Sequence, residues 1–248
     1  MFSERIRTSR NRAEALGGKR DWFRIEAKAN ETEISIYDEI GWFGITASQF
    51  TRELALISTP AINLHLNSPG GDVFDGIAIY NALKAHKATV NVVVDSIAAS
   101  IASVIAMAGD TITMARGSMM MIHEPFAFVI GDSRDMRKAG ESLDLMGDAI
   151  AGIYQARAGG DAEQWRAAMA EETWYSAEDA VKAGLADAVG AEQAAKNTFD
   201  LSIFRNGPRP EAAPAEPKPE PVAIDDWRRT ARLSIAAAQL EVSRVRAH

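Results

Sequence analysis

Val90-Asn91-Val92-Val93-Val94-Asp95-Ser96-Ile97-Ala98-Ala99-Ser100-Ile101-Ala102-Ser103 runs from a valine-rich segment straight into small residues. The β-branched run Val90 to Val94 has the composition of a short strand buried in a parallel sheet. From Ser100 to Ala108 the residues are small or apolar with no glycine or proline, and they read as a helix. A strand that feeds directly into a helix is the unit from which α/β domains are built.

The flanking sequence repeats the unit. On the N-terminal side, Ile62 to Asn67 reads as a strand ending in the turn Ser68-Pro69-Gly70-Gly71, and a helix from Val73 to His86 carries Ile77, Tyr80 and Leu83 toward a core. Further upstream, residues 22–28 and 33–37 alternate apolar and polar, which predicts two half-buried strands in a hairpin about Asn30. Thr46 is placed to cap a helix over 47–56. On the C-terminal side, Asp110 to Met114 and Ser118 to Ile122 are strand candidates. Between Asp132 and Ala158, Met136, Ala139, Leu143, Met146, Ile150 and Ile153 recur at three- and four-residue steps, the pattern of one long amphipathic helix. Ala162 to Ala170 and Ala177 to Ala183 read as two more helices, the second closed by Gly184. The alternation over 60–190 predicts an α/β fold with helices packed on a sheet.

Composition bounds the rest. A chain of 248 residues, 47% hydrophobic, can bury one full core and leave residues over at its ends. Residues 1–20 are locally basic through Arg5, Arg7, Arg10, Arg12, Lys19 and Arg20 and read as a solvated N-terminal arm. The net charge of −7 offers no footprint for nucleic acid. There is no cysteine, which removes disulfides and thiol catalysis. No secretion signal is expected at the N-terminus, and Asp95, Asp110 and Arg116 interrupt the most apolar region before it is long enough to span a membrane. A cytoplasmic protein without a membrane anchor, a metal or a cofactor is expected. After about Leu201, Pro208, Pro210, Pro214, Pro217, Pro219 and Pro221 alternate with Ala, Glu and Lys, the mark of a stiff solvated linker. Beyond it Trp227, Ala231, Ile235, Ala238, Val242 and Val245 form the stripe of an amphipathic helix, with a frayed tail as the alternative. The expected organisation is an N-terminal arm over 1–20, a folded domain over 21–200, a linker over 201–224 and a terminal helix over 225–248.

The chemistry centres on Ser100. A serine hydroxyl is a poor nucleophile near neutral pH unless an imidazole takes its proton. Of the four histidines, His123 in Met121-Ile122-His123-Glu124-Pro125 is the best placed; His65 sits on the preceding strand and His86 on a helix surface. Taken alone, Ser100 also suits close helix packing, His123 a core position, and Ser96 and Ser103 are competing hydroxyls. Ser100 opens its helix, so unpaired N–H groups lie beside it and favour an anion. Gly70 and Gly71 allow a backbone to approach a substrate with no side chain between.

Asn67-Ser68-Pro69-Gly70-Gly71, Ala98-Ala99-Ser100, Met121-Ile122-His123-Glu124-Pro125 and Trp174-Tyr175-Ser176-Ala177-Glu178-Asp179-Ala180-Val181, with Gly184-Leu185-Ala186-Asp187, stand in an order and spacing that resembles the proteolytic subunits of the Clp protease family. The resemblance covers roughly residues 60–190. It implies a Clp-protease or crotonase-like α/β fold of ββα repeats, with Asp132 to Ala158 as a protruding handle helix through which protomers form homo-oligomeric rings. It implies a serine endopeptidase with Ser100 as nucleophile, His123 as base, Gly70 in the substrate cleft, and the N–H groups of Gly71 and Ile101 as oxyanion donors. The family usually has methionine and glycine where this chain has Ile101 and Ala102. Counting back from Trp174-Tyr175-Ser176-Ala177, the family's catalytic aspartate falls on Glu172, with Glu171 beside it as the other candidate.

The two ends of the chain, together with Trp22-Phe23-Arg24-Ile25-Glu26 and Glu39-Ile40-Gly41-Trp42-Phe43-Gly44, resemble Clp-related head maturation proteases of phages and prophages. That subtype implies polypeptide substrates of the scaffold and capsid kind, processed within an assembling procapsid, and disfavours a Clp-type ATPase partner. General ATPase-fed degradation, a crotonase-type acyl-CoA enzyme and an inert assembly protein are the other readings.

Overall fold

The computed structural model describes residues 23–191, 199 and 201–207. The basic arm, the linker from 208 onward and the terminal helix over 225–248 lie outside the described residues.

The N-terminal hairpin pairs β1 (Phe23–Ala27) with β2 (Glu31–Ile36) antiparallel, turning through Lys28–Asn30 as the alternation predicts. From β2 onward the sheet is mostly parallel. β3 (Ala61–Ser68) lies between β2 and β4 (Thr89–Ala99), and β5 (Thr111–Met114) and β8 (Ala188–Val189) complete one edge. β6 (Met119–Ile122) runs parallel to the far half of β4 and antiparallel to β7 (Thr173–Ser176). Helices α1 (Ala47–Leu54), α2 (Val73–Ala85), α3 (Ile101–Ala106), α4 (Ser133–Ala158), α5 (Ala162–Ala170) and α6 (Ala177–Lys182) supply the connections. The mixed α/β architecture is the expected one.

Local chemistry sets the helix boundaries. Thr46 caps α1 by accepting the Gln49 N–H, Asp72 caps α2 through the Asp75 N–H, and Asp161 caps α5 through the Gln164 N–H. Asp132 and Asp135 form a reciprocal capping box at the start of α4. Gly184, at φ +77°, follows the C-cap of α6, a conformation a side chain resists.

The core lies between the sheet and these helices. Ile34, Ile36, Ile62, Leu64, Leu66, Val90, Val92 and Val94 point from β2, β3 and β4 toward Ile79 and Leu83 of α2, Val104 and Ile105 of α3, and Ile150 and Tyr154 of α4. In α2 the buried positions are Gly76, Ile79 and Leu83, while Ile77 and Tyr80 pack only at the margin. α4 is buried only in its second half: Met136 is 45% and Leu145 72% exposed. Arg166 of α5 ties the middle of α4 down, reaching Asp148 at 2.8 Å and the Asp144 carbonyl at 2.8 Å. Its Nε also pairs with Glu124 at 2.9 Å.

Two of the differences from the sequence-based expectation bear on the site. β4 does not stop at Val94 but runs eleven residues to Ala99. Asp95 is accommodated inside it because its carboxylate accepts the Tyr37 hydroxyl at 2.5 Å and meets His65 Nδ1 at 3.0 Å, and Ile97–Ala99 gain β6 as a new parallel neighbour. Leu201–Gly207, whose composition places them in the linker, instead form a 3-10 turn at Leu201–Ile203 and pack under β4 and β6. No helix among the described residues is long and apolar enough to cross a membrane.

Candidate active site

Strand register brings the site together. Ser68 pairs with Ala98, Ala99 with Met121, and Ile122 with Thr173. Extending each ladder past its last pair sets Gly70 beside Ser100 and His123 opposite Glu172, all at one end of the sheet. In an open α/β sheet, the cleft beyond the carboxyl ends of parallel strands is where ligands bind.

Ser100 occupies the turn from β4 into α3 with φ +56° and ψ −130°. A side chain in that region costs of order 1–3 kcal/mol and persists only where the surrounding structure holds it. Its N–H donates to the Met121 carbonyl at 2.9 Å, fixing the turn to β6. Its hydroxyl faces His123, with Oγ 2.7 Å from Nε2. Burial pushes the imidazole below its ordinary pKa, and the charge of Glu172 partly offsets this. The ring is therefore neutral at neutral pH, the state in which it can accept a proton.

Gly70 lies against this turn at φ +94°, and Gly71 follows at φ +146°, packed against the Ile40 backbone. A Cβ on Gly70 would fall 2.6 Å from the Ser100 Cβ and 2.7 Å from the Ala99 carbonyl oxygen. The Gly70 carbonyl accepts the Ile40 N–H at 2.8 Å, and the Asp72 N–H returns to the Ile40 carbonyl at 2.9 Å, so the turn is pinned on its far side. Ile101 is the first residue of α3, and its N–H has no carbonyl four residues back within the helix. Beside Ser100 a small cleft is lined by Val73, Ile101, Val104, Pro125, Ile150 and Tyr154.

Ser103 is buried, its hydroxyl held between the Ser100 carbonyl and the Tyr154 hydroxyl at 2.8 Å. Ser96 lies inside β4, away from the turn. His65 is bound to Asp95 and Glu33, and His86 accepts the Ala88 N–H at the end of α2. None of these joins Ser100 and His123.

Glu172 sits between α5 and β7 at φ +52°. Its Oε1 accepts the Trp174 indole N–H at 3.2 Å and the Asn206 N–H at 2.5 Å, and its Oε2 accepts the Arg205 N–H at 2.6 Å. No hydrogen bond joins it to His123 among the described residues, although its charge acts on the imidazole. Glu171 is the C-cap of α5, and its side chain is exposed. Sequence alone does not single out Trp174, Phe204, Arg205 and Asn206 for the site. Trp174 opens the Trp174-Tyr175-Ser176-Ala177 motif without itself being a catalytic residue type, and Phe204 to Asn206 stand next to a proline run that marks the region as solvated. No group of three or more His, Asp or Glu among the described residues is placed to hold a metal ion.

A family model described as Clp protease matches residues 18–193. An ATP-dependent Clp protease proteolytic subunit from Pleurastrum terricola is 33% identical over 132 residues, covering 52% of this chain and 67% of that protein. One from Deinococcus radiodurans is 33% identical over 130 residues, covering 52% of this chain and 64% of that protein. The matched stretch thus spans about two thirds of these relatives' length. Among solved structures, a point mutant of ClpP1 from Listeria monocytogenes superposes with a TM-score of 0.58 at 24% identity, covering 64% of this chain and 91% of that one.

Proposed function

The chain belongs to the Clp protease family of serine-type peptidases, and we propose on that premise that it cleaves polypeptides through Ser100, His123 and Glu172. The observation that carries the reading is the 2.7 Å contact between Ser100 Oγ and Nε2 of the partly buried His123. In the proposed reaction the Ser100 oxygen attacks the scissile carbonyl as its proton passes to His123 Nε2. The carbonyl π electrons move onto oxygen, and the N–H groups of Gly71 and Ile101 stabilise that oxyanion. The intermediate collapses, the C–N bond breaks, and the Nε2 proton goes to the leaving amine. Water then attacks the acyl-enzyme by the same route and frees Ser100. Glu172 stabilises the imidazolium formed in each half.

Members of the family form rings that degrade polypeptides, and the exposed first half of α4 with Met136 and Leu145 suits contact with a neighbouring protomer. The finer assignment is to head maturation: a protease acting on scaffold and capsid proteins in the host cytoplasm, within the procapsid. It is supported by the basic arm over 1–20, the proline-rich segment that begins at Pro208 and the amphipathic stripe over 225–248.

The test is hydrolysis of an unstructured polypeptide by the purified full chain, alone and with a Clp ATPase. Cleavage without ATPase that disappears in Ser100→Ala supports the proposal, and cleavage of a co-expressed capsid or scaffold protein supports the finer assignment. Turnover that requires the ATPase would move the protein to general degradation, and no cleavage with or without it would leave an assembly protein.

A further inference from the structure

Leu201–Gly207 reach the site at three points. Phe204, 8% exposed, stands edge-on to the His123 ring with centroids 5.6 Å apart and edge-on to Trp174 at 5.9 Å. Leu201 and Ile203 pack with it near Ile97, Ala99 and Met121. The chain then turns so that the Arg205 and Asn206 N–H groups each meet one oxygen of the Glu172 carboxylate, at 2.6 and 2.5 Å. The Asn206 side-chain amide closes the turn on the Glu171 carbonyl at 2.9 Å.

We propose that Phe204, Arg205 and Asn206 form a positioning hook that holds the Glu172 carboxylate against the His123 face of the site. The inference rests on the reading of Glu172 as the acid of the triad. A glutamate has one more rotatable bond than an aspartate, and fixing such a side chain costs about 1.5–2 kcal/mol of rotamer entropy. The adjoining strand β7 offers it the Trp174 indole. Two main-chain donors, one on each oxygen, set the carboxylate plane as a bidentate partner does. A carboxylate has about four acceptor positions. Trp174 and Asn206 fill Oε1, and Arg205 takes one position on Oε2, which leaves the other for an imidazole Nδ1–H. Phe204 limits the imidazole from the side, so one segment bears on both partners.

The experiment uses the full chain and a peptide substrate. Arg205→Pro removes one main-chain donor; Asn206→Ala and Phe204→Ala are milder, loosening the turn and the ring contact. Each is expected to lower kcat about tenfold or more while KM stays within about twofold, because misplacement of a catalytic group acts on the chemical step. The acid limb of the kcat profile should move to lower pH, since imidazolium loses a nearby negative charge. In a Glu172→Gln background the same substitutions should cost little more, as residues acting through one group are not additive. An unchanged kcat in all three hook variants would overturn the inference. So would a higher kcat with the acid limb moved up, which marks a latch that withholds the acid, or losses that simply add to those of Glu172→Gln. If Glu172→Gln itself leaves kcat unchanged, the triad reading falls and the hook with it; if only the hook variants are silent, the hook alone falls.

Discussion

Gly70 lies so close to Ser100 that a Cβ placed on it would sit 2.6 Å from the Ser100 Cβ, with the Ala99 carbonyl oxygen at 2.7 Å and the Ile101 nitrogen at 3.2 Å. At φ +94° the backbone also resists any side chain. Gly70→Ala is expected to displace the Ser100 turn, abolish peptide hydrolysis and destabilise the fold by about 1–3 kcal/mol. Activity and a denaturant melt on the same sample check both; retained activity would mean the turn relaxes without moving the nucleophile.

Glu172 and Glu171 are adjacent but in different surroundings, one acting on the imidazole through its charge and one exposed at a helix end. Glu172→Gln is expected to lower kcat by about 10⁴, the scale seen on losing the orienting acid of a triad. Glu171→Gln should stay within a few-fold of wild type. The reverse ranking would reassign the acid.

The pH profile follows from the depressed His123 pKa. Burial holds the folded value below the ordinary histidine value of about 6.5, so the base is free above that value and protonated only at lower pH. The acid limb of kcat/KM is expected below about pH 6.5. A limb above neutrality would contradict the burial argument.

His65 shifts the other way. Its hydrogen bond to Asp95, with the charges of Asp95 and Glu33, outweighs desolvation and raises its pKa. A raised folded pKa gives stability that is complete below the unfolded value and is lost as pH rises through the folded value. Histidine titration by NMR should find His65 above about 6.5, and Asp95→Asn should bring it down. Tyr37, whose hydroxyl donates to the same carboxylate, reports the change through its ring signals.

Most of the fold is legible in the sequence because most elements declare themselves locally. Thr46, Asp132 and Gly184 mark helix ends by their own chemistry, and the valines of β4 announce a buried strand. The second half of β4 is not legible, because Asp95 looks like an interruption until Tyr37 and His65 arrive from other strands to satisfy it. β7 escapes for a related reason: Thr173–Ser176 is four residues long and is held extended only by β6. Ser100 and His123 stand out because their motifs flank strands whose register joins them. The contacts of Phe204 to Asn206 are invisible, since main-chain donors leave no trace in residue identity.

Apart from Ser100 and His123 themselves, the cleft is lined mostly by aliphatic groups, and the Tyr154 hydroxyl there is engaged by Ser103. A substrate side chain entering it should be apolar, because a charged group would lose its hydration with nothing in return. In a peptide series varied at the residue before the scissile bond, leucine or methionine should exceed aspartate or lysine in kcat/KM by at least about 10²-fold. Ile150→Asp should narrow that preference.

The central claim is that His123 makes Ser100 a nucleophile. Intact mass and peptide mapping after treatment with a fluorophosphonate test it most directly. One adduct per chain on Ser100, absent in Ser100→Ala and much slower in His123→Ala, is the predicted result; an unlabelled wild-type chain, or an adduct on Ser96 or Ser103, would contradict it.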